Sequence, residues 1–227
     1  GPNGAGKSTT LKMLTGMLAP SAGTATVCGF DLRREPLEVK RRVGFVPDSG
    51  AVFESLTGLE YLELIAALYG IPRQAALPRI QQFIAFFDLS FATLTEKLLG
   101  AYSKGMRRKV VITAGLLHNP EVVFFDEPLD GLDANAAVGF KALIQTLARE
   151  GAHVIGCDLN EGPSQETVEL VREAGGQMDA IAPVDLATEA GGLVPLRQVA
   201  GFQTEGLAMK GADGRAYTFR KLQKHPE

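Results

Sequence analysis

An α/β fold, a parallel sheet flanked by helices and interrupted by a helical insertion, follows from three observations. Short apolar runs alternate with helical stretches along most of the chain, as strand–helix–strand crossovers do. A continuous apolar run ending in acid, Glu121-Val-Val-Phe-Phe-Asp126, has the composition of a central parallel strand. Between the early and late strands, residues 56–100 take a helical period, which places a helical subdomain within the sheet's connections.

The elements follow in order. Residues 9–18 predict a helix with Leu11, Leu14 and Leu18 on one face. Ala19-Pro20-Ser21-Ala22-Gly23 is turn chemistry, and residues 24–30 read as a strand. A short helix is expected over 36–42 and a buried strand over 43–47. In the insertion, Leu59, Leu62, Ile65, Ala66 and Tyr69 form one stripe, and Ile80, Phe83, Ile84 and Phe87 another. A helix with a basic start covers 103–118, and further helices cover 134–150 and 164–174. Strands are expected over 121–126, 153–157 and 180–184. In the tail, two β-prone runs (205–210 and 216–220) flank Gly211-Ala212-Asp213-Gly214, a hairpin signal.

Composition bounds the function. The chain has 227 residues, is 45% hydrophobic and carries a net charge of −3, so it has material for a sizeable core and no charge bias toward nucleic acid. Residues 193–227 hold six Lys/Arg against three Asp/Glu, which makes the tail locally basic. Cys28 and Cys157 are read as free thiols in a reducing compartment. No apolar run approaches the roughly 18 residues of a membrane span.

Three segments carry chemistry. Gly1-Pro2-Asn3-Gly4-Ala5-Gly6-Lys7-Ser8-Thr9 matches G-x-x-x-x-G-K-[ST] at each required position. Its glycines let backbone N–H groups reach phosphate oxygens, Lys7 can reach the β/γ-phosphates, and Ser8 can place a hydroxyl on Mg²⁺. About 120 residues on, Asp126 at a strand tip can hold Mg²⁺, and Glu127 can orient or deprotonate a water. Between them, Ala101-Tyr102-Ser103-Lys104-Gly105-Met106-Arg107-Arg108-Lys109 opens a helix with Ser, Gly and basic neighbours, the makings of an anion site.

This order of parts resembles the ATP-binding subunit of ABC transporters, with a P-loop NTPase-type sheet. Residues 1–9 look like that family's Walker A motif, 122–127 its Walker B, and Ser103-Lys104-Gly105-Met106 its signature motif in the form seen in exporters of the ABC-2 type. Leu132-Asp133 looks like the D-loop. The resemblance implies ATP binding by Asn3, Gly4, Ala5, Gly6, Lys7, Ser8 and Thr9, and Mg²⁺ held by Ser8, Asp126 and Asp48. It makes Glu127 the catalytic residue. A head-to-tail pair, a homodimer or one formed with a related ATPase subunit, would bring Ser103, Lys104 and Gly105 to the partner's ATP, with Asp133 in the D-loop. The helical insertion would dock on a transmembrane permease, placing the chain peripherally on the cytoplasmic face of the membrane. Asp48 stands where the family usually has a Mg²⁺-contacting Gln. The family's switch His would fall within residues 157–161, which contain none, and His118 and His153 are read as structural or solvated.

The domain scheme expected from these readings has three parts. Residues 1–150 are a truncated ATP-binding domain, lacking the leading strands and the adenine-stacking aromatic residue, with its insertion over about 50–105. Residues 151–192 are similar to the second βαβ unit of short-chain dehydrogenases, in which Asp158 would bind the adenosine ribose and Asp185 would sit near adenine. Residues 193–227 form the basic hairpin tail. The Tyr217-x-x-x-Lys221 spacing matches that second family by letter but falls in the expected hairpin. Alternatives to ATP hydrolysis coupled to export are a catalytically inactive truncated or chimeric product, and an NAD(P)-dependent oxidoreductase.

Overall fold

The structure is a computed structural model. It describes residues 7–150, 153–157, 168–169, 172–173, 177–181, 203–210 and 216–219. They fall into two compact units, one of residues 1–40 with 145–227 and one of residues 41–144.

In the first unit, α1 (Lys7–Leu14) is followed by β1 (Ala22–Val27) and β2 (Phe30–Asp31). The helix stops four residues short of Leu18 because Gly16 takes a left-handed φ of 67°. The N–H groups of Gly16 and Met17 turn back onto the carbonyls of Met13 and Lys12, a glycine-terminated helix end. The buried face is therefore Met13 and Leu14, while Leu18 is 42% exposed, which corrects the expected Leu11–Leu14–Leu18 stripe. The single strand expected over 24–30 is likewise two strands. Cys28 and Gly29 both have positive φ, 51° and 83°, and they join β1 to β2 as a two-residue hairpin with Val27 opposite Phe30.

The tail hairpin forms as expected from β7 (Gln203–Lys210) and β8 (Ala216–Phe219), antiparallel with Met209 opposite Tyr217. β7 also pairs antiparallel with β1, giving a sheet of order β2-β1-β7-β8. β5 (His153–Cys157) and β6 (Gln177–Ile181) make a parallel pair, the geometry a βαβ unit requires.

The second unit is built on β3 (Val43–Val46), which follows α2 (Pro36–Arg42) and runs parallel to β4 (Val122–Phe125), Val43 opposite Val122. The insertion contains α3 (Gly58–Leu68), α4 (Arg73–Ala85) and α5 (Phe91–Glu96), and α6 (Lys104–Leu116) leads from it back to β4. α3 starts on a capping box. The Thr57 hydroxyl accepts from the Glu60 N–H at 3.2 Å, and the Glu60 carboxylate accepts from the Thr57 N–H at 2.8 Å, satisfying two donors that a helix start leaves open. Leu62, Ala66, Ile80, Ile84, Leu94, Leu99, Val110 and Leu117 meet in one apolar core. In α3 the stripe runs through Tyr61, Leu62 and Ala66, and Tyr69 lies at its rim, 37% exposed. There its ring stacks on His118, centroids 3.7 Å apart. The stack makes His118 a packed ring, the structural one of the two expected readings, and burial lowers its imidazole pKa.

Two glycines let α6 come down onto β3. A Cβ on Gly44 would run into the Gly115 carbonyl, and one on Gly115 would stand 2.6 Å from a Val46 methyl. No side chain fits between helix and strand at this point. Gly44→Ala and Gly115→Ala are each expected to lower unfolding free energy by about 1–3 kcal/mol through overpacking, measured by urea denaturation. Gly29→Ala, where no neighbour lies within 4 Å of the added carbon, is the control for a turn cost without a clash.

Candidate functional site

α1 begins at Lys7, so the phosphate-loop pattern runs directly into a helix N-terminus as expected; Ser8 and Thr9 lie half-buried in its first turn. Asn3, Gly4, Ala5 and Gly6 lie outside the described residues, as do Asp158, Asp185 and Lys221. Tyr217 sits on strand β8.

The other expected site residues belong to the second unit and gather at the C-terminal ends of β3 and β4. The Asp126 N–H donates to the Val46 carbonyl at 2.9 Å, continuing the parallel ladder one step past β4. Asp126 is 5% exposed, whereas Glu127 beside it is exposed. Glu127 has a φ of +49°, a left-handed backbone that costs a residue with a Cβ of order 1 kcal/mol or more. Asp48, just past β3, is exposed.

What binds these ends is Arg108, a residue the sequence reading passed over as part of a basic helix start. It comes from the second turn of α6 and is 2% exposed. Among the described residues its guanidinium donates to five backbone carbonyls. Nη2 donates to Asp126 and Glu127, both at 2.7 Å; Nη1 donates to Pro47, and to Asp48 at 3.3 Å; Nε donates to Pro128 at 3.3 Å. Burial lowers the Arg108 pKa, opposed by the nearby charges of Asp48, Asp130, Asp126 and Glu127. A signal was available: three consecutive cations, Arg107-Arg108-Lys109, run straight into residues 110–116, where Thr113 is the one polar side chain, and one turn of a buried helix cannot point all three at water.

The start of α6 is held to the loop after β4 in other ways too. Ser103 caps the helix, its hydroxyl accepting from the Met106 N–H at 3.2 Å. Lys104 Nζ pairs with Asp130 at 2.8 Å, and this contact draws the Asp130 carboxyl below its usual range. A Cβ on Gly105 would stand 2.8 Å from the Gly131 carbonyl, so glycine is what lets the start of α6 touch the loop after β4. Asp133 caps α7 (Ala134–Arg149), accepting from the Ala136 N–H at 2.8 Å, and faces Lys109 Nζ at 3.4 Å. The Ala136 N–H first, then Lys109, holds its pKa down. Ser103, Lys104, Gly105, Asp126, Glu127 and Asp133, spread between positions 103 and 133 of the sequence, thus share one corner of the unit with Asp48.

Residues 1–130 match the domain family described as ABC transporter. The chain belongs to the ABC transporter family. It is 37% identical over 185 residues to the daunorubicin/doxorubicin resistance ATP-binding protein DrrA of Streptomyces peucetius, covering 82% of this chain and 52% of that one. It is 40% identical over 152 residues to the ABC transporter ATP-binding protein NatA of Bacillus subtilis, covering 66% of this chain and 61% of NatA. The chain therefore spans between half and two thirds of the length of these relatives. A dimeric structure of MJ0796, a bacterial ABC transporter cassette, superposes with a TM-score of 0.59 at 19% identity, covering 84% of this chain and 75% of that one. The fold is that of an ABC cassette, and the expected P-loop NTPase class holds. Among the described residues no helix of this ABC cassette is long and apolar enough to cross a membrane.

The cap at Asp133 gives a pH-dependent test within the cassette. Because its folded pKa is depressed, its stabilisation is present above the unfolded carboxyl pKa of about 3.9 and is lost as pH falls through the folded one. Asp133→Ala is expected to melt at lower temperature than wild type near neutral pH, with the gap closing in acid. Asp133→Asn, which can still cap, should fall between them.

Proposed function

We propose that this chain binds Mg–ATP and hydrolyses it as the nucleotide-binding subunit of an ABC transporter of the exporter type. The observation that carries the reading is the pair of acids after β4, Asp126 buried and Glu127 exposed, in a chain whose family match spans both the phosphate loop and that strand.

In this reading the backbone of Asn3, Gly4, Ala5 and Gly6, with Lys7 and Thr9, cradles the phosphates at the start of α1. The Ser8 hydroxyl and the Asp126 and Asp48 carboxylates are the hard oxygen donors that Mg²⁺ takes. A carboxylate as buried as Asp126 suits a cation, since burying an unbalanced charge is costly. When bound, Mg²⁺ would supply positive charge that offsets the charge of the phosphates. Glu127 accepts a hydrogen bond from the attacking water, orients it toward the γ-phosphate and can take its proton.

Ser103, Lys104 and Gly105 would complete the ATP site of a second copy or a related ATPase subunit, with Asp133 beside them. The dimeric MJ0796 cassette, a likeness of fold, is compatible with such a pair. The motor's load is a transmembrane permease, and Phe53, Leu64 and Leu68 are exposed apolar side chains on the insertion and its approach. That partner would place the chain on the cytoplasmic face of the membrane. Similarity to a drug-resistance ATP-binding protein supports the exporter assignment.

Lys7→Ala is expected to abolish Mg–ATP binding in calorimetry, and unchanged binding would sink the proposal. Glu127→Gln is expected to leave binding intact and lower turnover by about 100-fold or more, the usual worth of a general base. A rate equal to wild type would remove Glu127 from this role.

A further inference from the structure

The Arg108 guanidinium grips two carbonyls that straddle the Glu127 backbone. Rotation about the Glu127 N–Cα and Cα–C bonds changes the relative direction of the Asp126 and Glu127 carbonyls. Nη2 donates to both at 2.7 Å, so one nitrogen holds that pair of torsions in the left-handed setting seen at φ +49°. The backbone torsions set the direction of the Cα–Cβ bond, hence where the carboxylate can reach. Glycine would adopt this conformation without help; glutamate has to be held there.

The same guanidinium reaches the other strand end. Nη1 donates to the carbonyls of Pro47 and Asp48, and Nε to that of Pro128. Arginine suits this work because its donors form a rigid planar fork, where lysine offers one point charge. Arg108 lies five residues along α6 from its cap Ser103, about 7.5 Å at 1.5 Å per residue. A shift of the start of α6 is thus delivered to both strand ends through a single buried side chain.

We infer that Arg108 is a positioning residue for ATP hydrolysis: it holds Glu127 in its left-handed, water-facing setting and links that setting, and the loop of Asp48, to the signature helix. The inference rests on the catalytic role proposed for Glu127. Arg108 itself touches backbone and need not touch nucleotide.

The experiment is a mutant cycle in the full-length protein, read by single-turnover hydrolysis, Mg–ATP affinity by calorimetry and melting temperature. Arg108→Met keeps the apolar stem and removes the donors. It should lower the hydrolysis rate by about tenfold or more while ATP affinity stays within about twofold, the pattern of a lost transition-state contribution. Arg108→Lys, which can still reach some of the carbonyls, should recover part of the rate. In the Glu127→Gln background, Arg108→Met should cost less than about twofold more, because the group it positions is already gone.

Full multiplication of the two losses would overturn the inference, as would affinity and rate falling together. If Arg108→Met does not fold, Arg108→Lys is put through the same cycle under the same criteria. Glu127→Gln alone tests the catalytic reading. Should that variant hydrolyse like wild type, the reading fails; should it be slow while the Arg108 effect multiplies with it, only the positioning role fails.

Discussion

A buried guanidinium ties the two strand ends of the second unit together. Taking a charge out of water costs several kcal/mol unless polar partners replace the solvent. Arg108 finds them in the backbone, where the carbonyls of Pro47, Asp48, Asp126, Glu127 and Pro128 accept its N–H groups. Carbonyls at the C-terminal ends of parallel strands have run out of ladder partners, so they too need donors once buried. Each side of the arrangement satisfies the other. The surrounding acids, Asp48, Asp126, Glu127 and Asp130, favour the charged form of the arginine.

The fork can reach the strand ends because the backbone of α6 lies against β3. Gly44 and Gly115 make that approach possible, since a methyl at either position would meet its opposite neighbour. From that seat α6 serves two environments. Val110, Ala114 and Leu117 enter the apolar core of the insertion, while Arg108 and Lys109 reach the loops after the strands. Residues 108–116 of the helix are all buried. An unbroken apolar core on one side and a satisfied polar knot on the other make the start of this helix a stiff lever, since packed interiors do not deform continuously.

The loop after β4 is shaped by the same helix. Gly105 and Gly131 meet at a distance no Cβ would allow, Lys104 spans to Asp130, and Lys109 spans to Asp133. Exposed ion pairs such as Lys104–Asp130 contribute little singly. Here they accompany a buried hydrogen-bond network and a helix cap, which set the loop's path. The expected site residues Ser103, Gly105 and Asp133 therefore all have local structural partners, which fix the start of α6 against the loop after β4.

Much of this was legible in the residues. The phosphate-loop spelling, the acid pair ending an apolar run and the Ser-x-Gly helix start carried the family and the fold class, because phosphate, Mg²⁺ and a buried parallel strand each demand particular residue types at particular spacings. Most helix and strand positions followed from period, although the strand expected over 180–184 lies at Gln177–Ile181. The pairing of the tail strands followed from the Gly-Ala-Asp-Gly spelling between them. What periodicity could not show was where backbone torsions break a run. Gly16 ends α1 before Leu18, and Cys28-Gly29 divides one expected strand into two, since an apolar pattern does not encode the sign of φ. Contacts between residues far apart in sequence were equally hidden. That β7 joins β1, that Gly44 meets Gly115, and that Arg108 and Lys109 turn inward while Arg107 stays half-exposed were decided by packing. Local chemistry is written in short spans of residues, but the partner of a buried charge exists only once the chain has brought distant carbonyls to it.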